Sequence, residues 1–382
     1  MLFLVHKEVI KIKKILFGIT SLTLGGAERV LVDISNKLSE KYDITIFSIY
    51  DNGELKNDLN KNVKFKALYN CRYDELTKLQ KMWIPIKILL FSEIIYNKKI
   101  KQDYDTEIAF LEGPITRLFS TKNKDVHKIA WIHNDIEKVF GNDLKSKIKK
   151  YIDKNIYKKY DDLVFVSQDN MEKFQNIYND LNTENMYVIY NYIDKDLVIK
   201  KSNYNIKVEF DYNSINFLTV CRLVKQKAID RFIRVHSKLI KQGLKHKVYI
   251  IGDGPEKENL QKLIKQENVE DTFILLGKKE NPYPYIKNAN YFCLLSEFEG
   301  YGMVLEEAKI LNKPIIITNT AARECIENYP KALILENSED EIYDGLYKLL
   351  NDNDDKIFNN TQTNTEYDNT EKLQKIIELV GD

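Results

Sequence analysis

Cysteine is scarce and scattered in this chain. Cys71, Cys221, Cys293 and Cys325 are the only four, and no two of them form a Cys-x-x-Cys pair. That spacing argues against a zinc site and fits free thiols in a reducing compartment. Long apolar runs are missing as well. The greasiest stretch, MWIPIKILLFSEII (82–95), is broken by Pro85, Lys87 and Glu93, and is too short and too charged to cross a bilayer. The opening MLFLVHKEVIKIKKILF has no small-residue cleavage site behind its short apolar piece, so it does not read as a signal peptide. An excess of one charge is absent too. Lys and Arg number 58 against 57 Asp and Glu, which removes any global nucleic-acid signature. What these absences leave is a cytoplasmic protein whose 382 residues suggest two domains.

The charge is unevenly placed. Residues 1–200 carry 33 basic against 28 acidic side chains, and the remainder carry 25 against 29. The basic excess concentrates in residues 121–160, with 11 basic against 5 acidic.

From Lys13 onward, β-branched runs alternate with amphipathic helical patterns. KILFGIT (14–20) reads as a buried strand, followed by a Gly25-Gly26 turn and a helix with Val30, Ile34 and Leu38 on one face. Further strands are expected at 43–50, 106–112, 128–133, 162–168 and 187–190. The polar stretch KKSNYNIKVEFDYNSIN (200–216) interrupts this rhythm and is placed as the linker. A second series of strands follows at 217–223, 247–252, 272–277, 291–296 and 313–318. Alternation of this kind predicts parallel sheets with helices on both faces, hence an α/β chain of two Rossmann-like domains. The domains are set at 1–199 and 200–365, with a last segment, 366–382, forming a helix free to pack back on the first. The stretch 351–371 is polar and low in complexity and reads as a loop.

In parallel sheets ligands gather beyond the carboxyl ends of the strands, so the residues just after each apolar run are the candidates. After the first strand, Gly25 and Gly26 let backbone N–H groups approach a ligand at a helix start, although such a turn is as often purely structural. After the strand at 217, Arg222 and Lys227 lie across a strand-to-helix turn. Two cations there suit a diphosphate, Arg as a bidentate donor and Lys as a point charge, and they equally suit a solvated surface. After the strand at 291 comes SEFEGYGMVLEEAK, with Glu299 and Glu307 separated by seven residues around a Gly-Tyr-Gly. If Val304, Ala308 and Leu311 form the buried stripe, Glu307 lies roughly 60° from Val304, and Glu306 lies roughly 160° away and points to water. Glu306→Gln is then expected to be nearly silent. Ionised carboxylates accept hydrogen bonds only, and sugars offer hydroxyl donors in adjacent pairs. The acids therefore suit a ligand with hydroxyls at both ends and phosphates between, which describes a nucleotide-sugar.

Six ordered motifs, GGAERV, VIYNYID, CRLVKQK, IIGDGPEKENL, ILLGKKEN and EGYGMVLEEA, cover nearly the whole chain. In that order they resemble the family 4 retaining glycosyltransferases of GT-B fold, in which two Rossmann-like domains face each other across a cleft. One departure is Ala228, where the family usually has Gly after the lysine. The resemblance implies that Glu299 holds donor-sugar hydroxyls and Glu307 the ribose hydroxyls. Arg222 and Lys227 would hold the diphosphate, aided by backbone N–H groups at Gly302 and Met303. Gly300 and Tyr301 share that donor-binding stretch, and Leu276 and Gly277 would line the base. From the first domain, Gly25 and Gly26 would approach the phosphates or the transferred sugar, and His133 would stand near the reacting centre. Asn191 would border the cleft. Glu28 either reaches the cleft or is a first-turn helix acid favoured by the dipole.

The implied reaction is transfer of a hexose-type sugar, UDP-sugar favoured, with retention at the anomeric carbon and no obligatory metal or other cofactor. Arg222, Lys227, Glu299 and His133 are the catalytic candidates. Three alternatives are weaker. A metal-dependent GT-A transferase needs Asp-x-Asp after a strand, and the literal hits at Asp103, Asp194 and Asp352 are misplaced for it. A nicotinamide oxidoreductase needs G-x-G-x-x-G after the first strand, which is lacking. A catalytically silent sugar-nucleotide binder would not need to keep all four charged site residues.

The acceptor is implied to be a glycan or lipid-linked glycan in surface polysaccharide assembly, such as capsule or lipopolysaccharide. KLQKMWIPIKILLF (78–91) and DLKSKIKKYIDKNIYKKY (143–160) suit either a peripheral enzyme at the anionic inner face of the cell membrane or ordinary packing and solvation.

Overall fold

In the computed structural model the described residues are 12–100, 103–121, 123, 125–134, 144–351 and 367–381. The opening segment read as lacking a signal peptide, the Asp-x-Asp at Asp352 and most of the polar stretch 351–371 therefore lie outside the described residues.

By internal contacts the chain divides into two units, Met1–Tyr192 with Asn369–Asp382, and Ile193–Asp368. The boundary falls between Tyr192 and Ile193, ahead of the polar stretch at 200–216. Each unit holds one all-parallel sheet. In the first, the strands are β1 (Lys14–Ile19), β2 (Asp43–Tyr50), β3 (Lys64–Tyr69), β4 (Thr106–Ala109), β5 (His127–Ile132), β6 (Asp162–Phe165) and β7 (Met186–Val188). Their order across the sheet is β3-β2-β1-β4-β5-β6-β7. In the second, β8 (Ile215–Val220), β9 (His246–Ile251), β10 (Phe273–Gly277), β11 (Tyr291–Leu294), β12 (Ile315–Thr318) and β13 (Ala332–Leu335) run in the order β10-β9-β8-β11-β12-β13. Two strands, β3 and β13, were not expected from the sequence. Both are edge strands, half exposed along most of their length, so neither carries the continuous apolar run that marks a buried strand.

The helices that cover the first sheet are α1 (Gly26–Leu38), α2 (Lys78–Lys99), α3 (Pro114–Phe119), α4 (Leu144–Tyr157) and α5 (Gln168–Ile177). Val30, Ile34 and Leu38 are buried along α1, on the face expected from their spacing. Helix α2 opens with a capping box between Thr77 and Gln80, contains Pro85 and kinks at Phe91. Its inner side chains Ile84, Ile88, Ile95 and Tyr96 share one core with Leu118 and Phe119 of α3 and with Ile156 and Tyr157 of α4. These three helices therefore cover the same face of the sheet. No helix among the described residues is long and apolar enough to cross a membrane.

The second unit carries α6 (Lys195–Ser202), α7 (Ile229–Lys241), α8 (Lys257–Gln266), α9 (Tyr283–Asn288), α10 (Met303–Ile310) and α11 (Glu339–Asn351). The last helix, α12 (Thr370–Gly381), belongs to the first unit. Its Ile376 and Val380 are fully buried, the Val380 carbonyl accepts from Thr106 Oγ1 at 3.5 Å, and Lys13 Nζ donates to the Gly381 carbonyl.

Candidate active site

Both sheets reverse their strand order at one place, between β1 and β4 in the first and between β8 and β11 in the second. Loops leaving the carboxyl ends of such neighbouring strands diverge to opposite faces and open a crevice. The loop after β8 carries Arg222 and Lys227, and the loop after β11 carries Glu299.

The structure brings Lys227 and Glu299 into contact. Lys227 Nζ donates to Glu299 Oε1, which also accepts from Ser296 Oγ at 2.6 Å. Ser296 is fully buried and Glu299 is 8% exposed, so the pair is largely withdrawn from water. Both bonds arrive on Oε1, and Oε2 keeps its lone pairs for a hydroxyl donor. The two loops are also stapled directly. Gln226 Nε2 donates to the Phe298 carbonyl at 2.9 Å, and Glu297 N–H donates to the Gln226 carbonyl at 2.9 Å. Cys221, beside this pair, has its thiol pushed up to about 12 by burial, with Lys227 opposing. Arg222 is exposed just past β8. Lys227 is followed by Ala228 in the left-handed region at φ 46°, which turns the chain into α7. The GDGPE segment packs behind this loop. A Cβ on Gly254 would lie 2.3 Å from the Leu223 carbonyl oxygen, so only glycine allows the approach.

Helix α10 begins at Met303 with Gly302 as its N-cap at φ 68°, a conformation that favours glycine. Its orientation corrects the sequence reading. Leu305, Glu306 and Ala308 are buried, whereas Val304 and Leu311 are half-buried. Glu306 is 1% exposed rather than facing water. Its Oε1 accepts from the buried Tyr301 hydroxyl, and its Oε2 lies 3.3 Å from Lys309 Nζ, which in turn donates to the Cys325 carbonyl at 2.6 Å. The expected stripe failed because the helix has only eight residues and its phase is set by the Gly302 cap. A carboxylate takes an inward position here because two partners meet it. Burial pushes the Tyr301 phenol far up, which keeps it a neutral donor to Glu306. Gly300 lies half-buried between Glu299 and Tyr301. Glu307 is half-buried on α10, and its Oε1 accepts from Tyr283 Oη at 3.2 Å. Leu276 and Gly277 end β10 at a bulge, with Gly277 at φ 71° and its carbonyl accepting from Gly252 N–H at 3.0 Å.

In the first unit, Gly25 is the N-cap of α1 and Gly26 its first residue. The Glu28 side chain folds back over Gly25, where a Cβ would fall 2.1 Å from its Oε2, and desolvation raises its pKa. His133 follows β5. Its Nε2 is buried with no hydrogen-bond partner among the described residues, and burial lowers its pKa to about 3. It is therefore a neutral imidazole at physiological pH. Its ring lies 4.6 Å from Phe110 and stacks with Trp131 at 6.4 Å. Asn191, 3% exposed, likewise has a buried Oδ1 without a partner among the described residues.

Glu112 went unnoticed in the sequence. It follows β4, and its Oε1 accepts the backbone N–H groups of His133 and Asn134 at 2.6 and 2.7 Å, while Oε2 accepts from Asn134 Nδ2 at 2.8 Å. Burial raises its pKa against the pull of these bonds. Its one sequence signal was position, the first acid after a strand beside the switch point. Ser296 and Tyr283 were missed for want of a motif that names them, whereas Glu306 was singled out and wrongly turned toward water.

Residues 200–367 match the family model described as Glycosyl transferases group 1. Among curated proteins, the chain is 28% identical over 342 residues to the Campylobacter jejuni N-acetylgalactosamine-N,N'-diacetylbacillosaminyl-diphospho-undecaprenol 4-alpha-N-acetylgalactosaminyltransferase, covering 87% of this chain and 89% of that one. It is 24% identical over 310 residues to the Escherichia coli O-antigen biosynthesis glycosyltransferase WclY, covering 80% of each. Among solved structures, Anabaena HepE in complex with UDP and glucose superposes with a TM-score of 0.74 at 16% identity, covering 97% of this chain and 99% of that one.

Proposed function

We propose, for a chain that belongs to the group 1 glycosyl transferases of GT-B fold, that it moves a hexose-type sugar from a nucleoside-diphosphate donor to an acceptor hydroxyl. UDP-sugars are the favoured donors, and the anomeric configuration is retained. The acceptor we infer is a glycan or a lipid-linked glycan of bacterial surface polysaccharide assembly, met at the inner face of the cell membrane. The C. jejuni relative named for a diphospho-undecaprenol acceptor and the E. coli relative named for O-antigen biosynthesis support that class.

The observation that carries the reading is the Lys227–Glu299–Ser296 contact at the switch point of the second sheet. Lys227 and Arg222 supply cations for the diphosphate, and Glu299 Oε2 supplies an acceptor for sugar hydroxyls. As the anomeric C–O bond to phosphate breaks, negative charge grows on the leaving oxygen, and a fixed ammonium lowers that barrier more than it stabilises bound donor. The acceptor oxygen bonds to the anomeric carbon on the same face, and its proton passes to the departing phosphate oxygen. On this reading Lys227 and Arg222 fill the role a divalent metal has elsewhere. His133, neutral and desolvated, is read as a hydrogen-bonding group for the sugar rather than a charged one.

The test is a thermal-shift panel of nucleotide-sugars, followed by a donor hydrolysis assay with and without EDTA. A stabilising nucleotide-sugar that is hydrolysed equally in EDTA is the expected result. Binding without any turnover would leave a sugar-nucleotide binder, and loss of turnover in EDTA would remove the metal-free leaving-group clamp.

A further inference from the structure

Helix α2 is apolar on two sides, which a helix on the surface of a soluble domain ordinarily is not. One side is fixed to the fold. Besides Ile84, Ile88 and Ile95, Tyr96 donates its hydroxyl to the fully buried Glu107. Lys128 Nζ lies 3.5 Å from that carboxylate and 5.3 Å from the centroid of the Tyr96 ring. The other side presents Leu79, Met82, Trp83, Ile86, Leu90 and Ile94 at spacings of one, three and four residues, with Phe91 at the kink. Trp83 is 58% exposed and Leu90 67%. Of nineteen large apolar side chains exposed among the described residues, seven sit on this one helix. A contiguous apolar patch of that kind marks an interaction site.

Charge identifies the occupant. Helix α2 carries five lysines against Glu93 alone, with Lys78 and Lys81 at one end and Lys98 and Lys99 at the other. Helix α4, which covers the same face of the sheet, carries five lysines against Asp153 alone and exposes Ile148 and Tyr151. A second copy docking by twofold symmetry would set α2 against α2 and bring like charge onto like charge. An anionic bilayer surface accepts both features, apolar side chains at the acyl boundary and lysines among the headgroups, with Trp at the interface between them.

We propose that the outward faces of α2 and α4 form a docking surface for an anionic lipid bilayer. The proposal deepens the transfer reading, on which it rests only in that a lipid-linked acceptor gives the surface its use. The experiment is flotation of the full chain with vesicles of phosphatidylcholine alone, or with about one-third phosphatidylglycerol, at low and high salt. Binding to the anionic vesicles is expected, weakened by salt. The double variant Trp83→Ser with Leu90→Ser should lower it at least about tenfold, and Lys78→Gln with Lys87→Gln should lessen its salt dependence. Both pairs are exposed, and thermal unfolding checks that they leave the fold intact. Absence of vesicle binding, or binding unchanged in the double variant, overturns the proposal. So does a concentration-dependent dimer that the double variant dissolves while vesicles stay unbound. Donor hydrolysis on the same samples separates the two readings. Hydrolysis without vesicle binding removes the docking surface and leaves the transferase, whereas vesicle binding without nucleotide-sugar binding or turnover does the reverse.

Discussion

At the switch point of the second sheet, Lys227, Glu299 and Ser296 meet, and two of the three groups are charged. At the carboxyl ends of β4 and β5 in the first sheet the aromatic ring nitrogens are uncharged. His133 Nε2 and Trp131 Nε1 are buried with no hydrogen-bond partner among the described residues, and burial keeps the imidazole unprotonated. The carboxylate of Glu112 is spent there on the backbone N–H groups of His133 and Asn134. One strand edge thus offers a pre-paired electrostatic clamp, the other a dry set of unfilled hydrogen-bonding atoms. On the proposed function, such a pre-paired clamp would exchange partners when an anion arrives, an electrostatic role. A dry neutral edge discriminates by which hydrogen bonds it leaves unmade.

The comparison can be broken most sharply at Lys227. Lys227→Ala should lower donor turnover by about 10²–10³-fold, as removal of a leaving-group stabiliser does. A kcat within a few-fold of the parent would end the electrostatic assignment. Next comes the brace behind Glu299. Replacing Glu306 by Leu leaves the buried Tyr301 hydroxyl without its acceptor and Lys309 without its carboxylate partner, and should cost about 3 kcal/mol by urea unfolding. Glu306→Gln keeps an acceptor for the Tyr301 hydroxyl and should cost about half as much. An unchanged midpoint in both would show that the buried carboxylate does not hold the loop.

Acid should weaken the second unit first. There His236 and His246 are buried against each other, Nδ1 to Nε2 at 2.8 Å, with His236 Nε2 on Thr272 Oγ1 at 2.8 Å. Burial lowers their pKa values to about 2 and about 4, and that of His133 to about 3. The folded values lie below the unfolded one of about 6.5, so the unfolded chain binds more protons. The stability these groups contribute is complete above pH ~6.5 and is lost as pH falls toward the folded values, by about 2 kcal/mol per histidine at pH ~5. Denaturant midpoints for each unit's own signal between pH ~7 and ~5 would check the order, since among the described residues two such groups titrate in the second unit and one in the first. The smallest effect is at Ala228, whose left-handed φ of 46° suits glycine better. Ala228→Gly should gain about 0.5 kcal/mol after the extra entropy of the unfolded glycine is set against the relieved strain.

Much of this arrangement was readable in advance. The buried parallel strands announce themselves as apolar runs, and the rule that ligands lie past strand ends selects the loops holding Lys227 and Glu299. Edge strands β3 and β13 escaped because half-exposed strands mix polar with apolar residues. Glu306 escaped for a different reason. Periodicity assumes that a charged side chain faces water, and it cannot foresee that Tyr301 and Lys309 will meet a carboxylate inside. Glu112 was invisible because its partners are backbone N–H groups, which leave no mark in the residue pattern.

The return of α12 to the first unit also has a consequence for the order of synthesis. Ile376 and Val380 fill a seat formed by residues more than 250 positions earlier, including Thr106. Residues 193–368 leave the ribosome, and can close their own sheet, before that seat is filled. The unit translated first is therefore the one completed last.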